Sequence, residues 1–131
     1  MKTTKLLALG LAATVAISSG TAMASEKGEK LFKKKCGVCH SIEPGKHKVG
    51  PSLAGVMGRK AGDTDFSKYK AMKGASFTWD AAKMDAWITN QKDFLKANKD
   101  IVGAQSTAMS AKIKKESERK EIIDFLSGAA D

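Results

Sequence analysis

The chain has 131 residues, with 23 Lys and Arg against 14 Asp and Glu and a formal net charge of +9. That length points to one domain and argues against a multidomain architecture. No repeat or low-complexity tract is present, and the excess positive charge points to acidic partners or anionic surfaces.

Residues 1–24 read as a secretory leader that is not part of the fold. Lys2 and Lys5 form a basic start, Leu6 to Ile17 is an apolar run, and Ala22-Met23-Ala24 is a small-x-small cleavage site. The apolar run is short for a bilayer span, which argues against an uncleaved anchor. The mature domain is then residues 25–131, starting at Ser25 or Glu26. It keeps 21 of the 23 basic residues and all 14 acids, a formal charge of +7. About 107 residues make a small core, so a buried apolar cofactor would also be a structural element. A nucleic-acid partner is not expected for an exported chain.

The mature chain opens with a helical pattern over Glu26–Lys35, in which Gly28, Leu31 and Phe32 share a face. It runs into Cys36-Gly37-Val38-Cys39-His40, which contains both cysteines and one of the two histidines. This pentapeptide reads as a c-type haem attachment site. Each thiol can add across one haem vinyl group, and His40 then lies under the ring as a proximal iron ligand. Three other readings compete. A thioredoxin-like pair would sit near a βαβ pattern, but a helix precedes Cys36. A zinc site would use Cys36, Cys39, His40 and His47, yet adjacent Cys39 and His40 crowd one tetrahedral ion. A plain disulfide is the third.

Pro44, Gly45, Gly50, Pro51, Gly55, Gly58 and Gly62 make the next segment a loop that could wrap a ligand. A short helix is expected over Asp65–Lys73. Thr78 is the expected N-cap of a helix over Trp79–Thr89, with Asp80 in its first turn and Met84, Trp87 and Ile88 on one face. Gln91–Ala97 is expected to form another short helix, and Lys99–Ser110 to be irregular. The last helix is expected to start at Ser117 as N-cap and to stop at Gly128, with Ile122, Phe125 and Leu126 as its apolar stripe. Strand alternation is absent, so the fold class is all-α: helices and long loops wrapped around one covalent haem c.

With these residues in place, the chain resembles a class I cytochrome c. It is most similar to the long bacterial, periplasmic type that carries an insertion before the axial methionine. The resemblance covers essentially the whole mature chain. A thioether is a soft ligand that favours reduced iron, and Met57, Met72, Met84 and Met109 could each supply one. Met84 reads as core, and Met57 and Met72 lie early. Met109 stands in a loop among the small residues Ser106, Ala108 and Ser110. The resemblance implies Met109 as the sixth ligand, ahead of the basic segment Lys112-Ile113-Lys114-Lys115. It also implies that the Pro51 carbonyl orients His40, that Arg59 and Trp79 serve the haem propionates, and that His47 ties loops together. Gly28 and Phe32 are implied to meet the last helix at Ile122 and Phe125. Two features depart from the family pattern. Lys68 stands where relatives place a tyrosine, with Tyr69 one residue later, and the usual Pro-Gly-Thr-Lys run before the methionine is replaced by 100–107.

The implied function is a one-electron carrier with His40 and Met109 on iron, not an enzyme. It would shuttle in the periplasm between a quinol–cytochrome c oxidoreductase or dehydrogenases and a terminal oxidase, reaction centre or reductase. Lys35, Lys48, Lys112 and Lys114 are implied to steer acidic docking faces of those membrane redox complexes to the haem edge. The carrier is expected to be a monomer, peripheral to the membrane. The rival function is a ligand-sensing or peroxidase-like c-type haem protein with a displaceable sixth ligand.

Overall fold

The first helix, α1, spans Gly20–Lys35 and touches the last, α4 (Glu116–Gly128), at a point where only glycine fits. A β-carbon on Gly28 would fall 2.3 Å from the Glu121 carbonyl oxygen and 2.7 Å from Phe125 Cβ. Phe32 and Phe125 pack with ring centroids 5.4 Å apart, and Lys27 pairs with Glu121 at 3.2 Å. The expected meeting of Gly28 and Phe32 with the last helix is therefore present. The computed structural model describes residues 20–129, with side chains from Glu26 onward. The expected leader lies outside the described residues up to position 19. The backbone of 20–25 already belongs to α1, which starts ahead of the expected Glu26 because Ala22, Met23 and Ala24 are good helix formers.

Between these helices lie α2 (Ala81–Thr89) and α3 (Gln91–Ala97). Helix α2 begins two residues later than expected. Asp80 is its N-cap, its carboxylate accepting from the Lys83 N–H at 2.8 Å. Thr78 is instead in extended backbone, bridged antiparallel to Lys60. Asn90 ends α2 and also caps α3, its side chain accepting from the Asp93 N–H at 3.3 Å. Helix α4 starts at Glu116, one residue before the expected cap. Ser117 lies inside its first turn, Lys115 holds the cap position without a side-chain bond, and Glu116 and Glu118 face the positive end of the helix dipole.

The helix expected over Asp65–Lys73 is absent; the segment is a series of turns. Its backbone groups find partners in a distant loop. Met72 N–H donates to Ala104 O at 3.3 Å, Ala104 N–H to Lys73 O at 3.1 Å, and Ser76 N–H to Ile101 O at 2.9 Å. Met72 takes a left-handed conformation, φ 53°, in a fully buried place, and Val102 is sealed beside this contact. Tertiary pairing has overridden local helix propensity here. Among the described residues no regular strand forms, so the fold is all-α as expected. The core joins Phe77, Trp79, Trp87 and Phe94 in an aromatic group with Met84, Ile88, Ile122 and Leu126 from α2 and α4.

Candidate functional site

Helix α1 delivers the Cys36–His40 motif directly. Cys36 N–H and Gly37 N–H both donate to Phe32 O at 2.8 Å, and His40 N–H donates to Cys36 O at 2.9 Å. The motif is thus a tight turn on the C-terminal end of α1. Cys36 is half-buried, Cys39 is exposed, and neither is in a disulfide. Burial, and next the neighbouring Cys39, push the Cys36 thiol up to about 11 against the pull of Lys35. It is therefore protonated at neutral pH.

Both cysteines, His40 and Met109 line one cavity of about 570 Å³. Its walls are mostly apolar, formed by Leu53, Val56, Trp79, Trp87, Ile113 and Ile122 among others. Of the four methionines considered, Met84 and Met109 reach this wall. Met84 is packed into the core on α2, whereas Met109 is half-buried on an irregular segment.

His40 Nδ1–H donates to the Pro51 carbonyl at 2.8 Å, which leaves Nε2 with the lone pair. Burial lowers the imidazole's affinity for a proton, with the Pro51 bond opposing. A neutral ring with a free Nε2 is the form that binds a metal. Gly50 makes room for it, since a β-carbon there would meet His40 Cε1 at 2.4 Å. The cavity, the soft and nitrogen donors and the paired thiols fit a covalent haem.

Arg59 and Trp79 line the same cavity side by side. Gly58 N–H donates to Trp79 O at 2.8 Å, and Trp79 N–H to Arg59 O at 2.9 Å. The Arg59 guanidinium also donates to Ala54 O at 3.1 Å and Ser52 O at 3.4 Å. Tyr69 joins this wall; burial pushes its phenol up, with Arg59 opposing. The sequence offered Tyr69 only as a neighbour of Lys68, and the turn at Phe66–Tyr69 brings it inward while Lys68 stays exposed.

His47 does tie loops. The Ser52 N–H donates to its Nδ1 at 3.0 Å, so Nε2–H donates to Asp65 at 2.8 Å. The four lysines differ. Lys35 lines the cavity but pairs with Glu118 at 3.2 Å. Lys48 is exposed and donates to the Gly37 carbonyl, while Lys112 and Lys114 are exposed beside the Met109 segment. Sequence reasoning missed Gln91 and Arg119, both buried polar residues that bond this segment. The available signal was a charge and an amide on otherwise apolar helix faces.

The cytochrome c family model matches residues 25–130. The cytochrome c of Chlamydomonas reinhardtii is 37% identical over 105 residues, which is 79% of this chain and 87% of that protein. A cytochrome c homolog of Bradyrhizobium diazoefficiens is 36% identical over 125 residues, covering 84% of this chain and 63% of that protein. The solved structure of cytochrome c2 from Rhodospirillum centenum superposes with a TM-score of 0.69 at 30% identity, over 82% of this chain and 98% of that chain.

Proposed function

The chain belongs to the cytochrome c family, and from that premise we propose that it is a soluble periplasmic electron shuttle. Family membership brings covalently attached haem c and the role of a haem electron carrier. The observation that carries the finer reading is the convergence of Cys36, Cys39, His40 and Met109 on one apolar cavity.

When bound, haem c supplies one-electron exchange between ferrous and ferric iron. The residues of the chain do the rest. Cys36 and Cys39 would provide the two thioether sulfurs. His40 would give its Nε2 lone pair, and the Pro51 carbonyl holds the ring orientation and raises the basicity of that nitrogen. Met109 would supply a soft sulfur that favours the reduced metal. The apolar walls exclude water, and Arg59 and Trp79, which line the same cavity, would hold the carboxylates of the cofactor. With His40 and Met109 both held to the iron, the chain would offer little room for a substrate there, which favours a carrier over an enzyme. Outside the cavity, the exposed Lys48, Lys112 and Lys114 suit acidic faces of membrane redox complexes. Among the described residues no helix is long and apolar enough to cross a membrane.

The test joins mass spectrometry with an absorption spectrum. One haem should add to the chain mass, and the oxidised protein should show the weak near-red band of iron bound to sulfur. Met109→Ala should keep the haem, lose that band, lower the potential and bind carbon monoxide when reduced. A high-spin spectrum in the unaltered protein would instead favour a sensor or peroxidase-like role. A colourless protein with free thiols would overturn the reading.

A further inference from the structure

The segment that carries Met109 has almost no backbone pairing of its own. Among the described residues, 105–114 makes one bond of that kind, Ile113 N–H to Ile88 O at 2.9 Å. Met109 N–H is taken up locally by Thr107 Oγ1 at 3.0 Å. The carbonyls further along go to two buried side chains on neighbouring helices. Gln91, the first residue of α3, donates from Nε2 to Ala111 O at 2.6 Å and is only 2% exposed. Arg119 of α4 donates from Nη1 to Ile113 O at 3.0 Å and Lys114 O at 2.9 Å, while its Nε meets Asp85 of α2 at 2.7 Å. Gln91 is thus the clamp nearest to Met109, since the Ala111 carbonyl it holds lies two residues from Met109 along the chain.

We propose that Gln91 is a positioning residue for the sixth ligand: its amide pins Ala111 and so holds the Met109 sulfur within reach of the iron. This rests on the reading of Met109 as that ligand. The reasoning is one of coupling. For Met109 to swing off the metal the strap must leave its seat, and that movement breaks the Gln91–Ala111 bond. The bond therefore counts in favour of the ligated state only. It is short, its donor sits on the buried Gln91, and its loss would leave the Ala111 carbonyl without its protein partner.

The test uses the haem-loaded protein and imidazole, which binds ferric iron only when Met109 has left. Gln91→Leu and Gln91→Glu both remove the donor at similar size. Each should weaken the near-red sulfur band and raise the apparent affinity for imidazole about tenfold, equivalent to about 1.4 kcal/mol and within the range for a lost hydrogen bond. Asn90→Ala is the control, because it removes the cap of the same helix without touching the strap. It should lower the melting temperature and leave imidazole affinity within about twofold of the unaltered protein, a span of under 0.5 kcal/mol. An intact sulfur band with unchanged imidazole affinity in both Gln91 variants would overturn the proposal alone. So would an equal rise in Asn90→Ala, since general loosening would then explain it. A missing sulfur band in the unaltered protein would overturn the Met109 reading and this proposal with it.

Discussion

Gly50 stands against the His40 imidazole, so close that a β-carbon on it would lie 2.4 Å from Cε1 and 2.8 Å from Nδ1. The next residue, Pro51, receives the His40 N–H. One dipeptide therefore sets both the space and the orientation of the ring. Gly50→Ala must push the ring or the loop aside, at about 1–3 kcal/mol for overpacking. The haem-loaded variant should melt at a lower temperature and bind its His40 side more weakly, seen as a shifted potential. Unchanged melting and potential would show that the loop yields freely.

Gly28→Ala sets two effects against each other. Alanine gains about 1 kcal/mol of helix propensity over glycine. Its β-carbon, however, would lie 2.3 Å from the backbone oxygen of Glu121. Backbone cannot move like a flexible side-chain end, and forcing α1 from α4 costs about 1–3 kcal/mol and disturbs the Phe32–Phe125 contact. A net loss of stability is expected in thermal or denaturant unfolding. A gain would mean that propensity wins and the helices separate cheaply.

Asp80 gives a prediction in pH. The Lys83 side-chain hydrogen bond, followed by the Lys83 backbone bond, holds its carboxyl below the usual value. A lowered folded pKa means stability present above the unfolded value, about 3.9, and lost as pH falls through the folded one. Asp80→Ala should cost about 1 kcal/mol near neutrality, and the gap to the unaltered protein should close below about pH 4. Asp80→Asn keeps a good cap and should lose most of the pH dependence while costing less. Parallel melting curves for Ala and the parent at all pH values would count against the cap.

Electron transfer to an acidic acceptor should slow as salt rises, because screening shortens to about 10 Å at 0.1 M. Charge reversal at Lys114 should lower the second-order rate and flatten that dependence while leaving the potential nearly fixed. Lys35→Glu should do so as well, but it also sets a carboxylate beside Glu118 and should lower stability. Lys83→Glu, on α2 and paired with Asp80, should affect the rate least. Equal effects at all three would mean that net charge, and not one face, governs encounter.

Much of this architecture is local in origin and so was readable in the chain. The motif Cys36–His40 is contiguous, and Gly28 with Phe32 lies at helical spacing from Leu31. Met84, Trp87 and Ile88 share a face by periodicity alone. Helix starts were less legible because several capping residues compete. Thr78 and Asp80 both qualify, and the Lys60–Thr78 bridge decides between them by pulling Thr78 into extended backbone. The turns at 65–73 were hidden for a similar reason, since their partners lie at 101–104. The pairing of Lys35 with Glu118 has no local mark, because the two are far apart along the chain. Gln91 shares a helix face with Phe94 and Leu95, which marks it as turned inward, but a glutamine opening a short helix does not name the carbonyl it will meet at Ala111.

The pairing of the 72–76 turn with the 101–104 loop bears on how the molecule breathes. Amides at Met72, Ser76 and Ala104 all bond across the two loops, and Val102 beside them has no exposure to solvent. Opening any one requires the two loops to part together, so they form one cooperative unit. In deuterium exchange these loop amides should be among the slow ones, outlasting exposed positions of α3. The most persistent protons of this helical protein would then include a set that no helix holds.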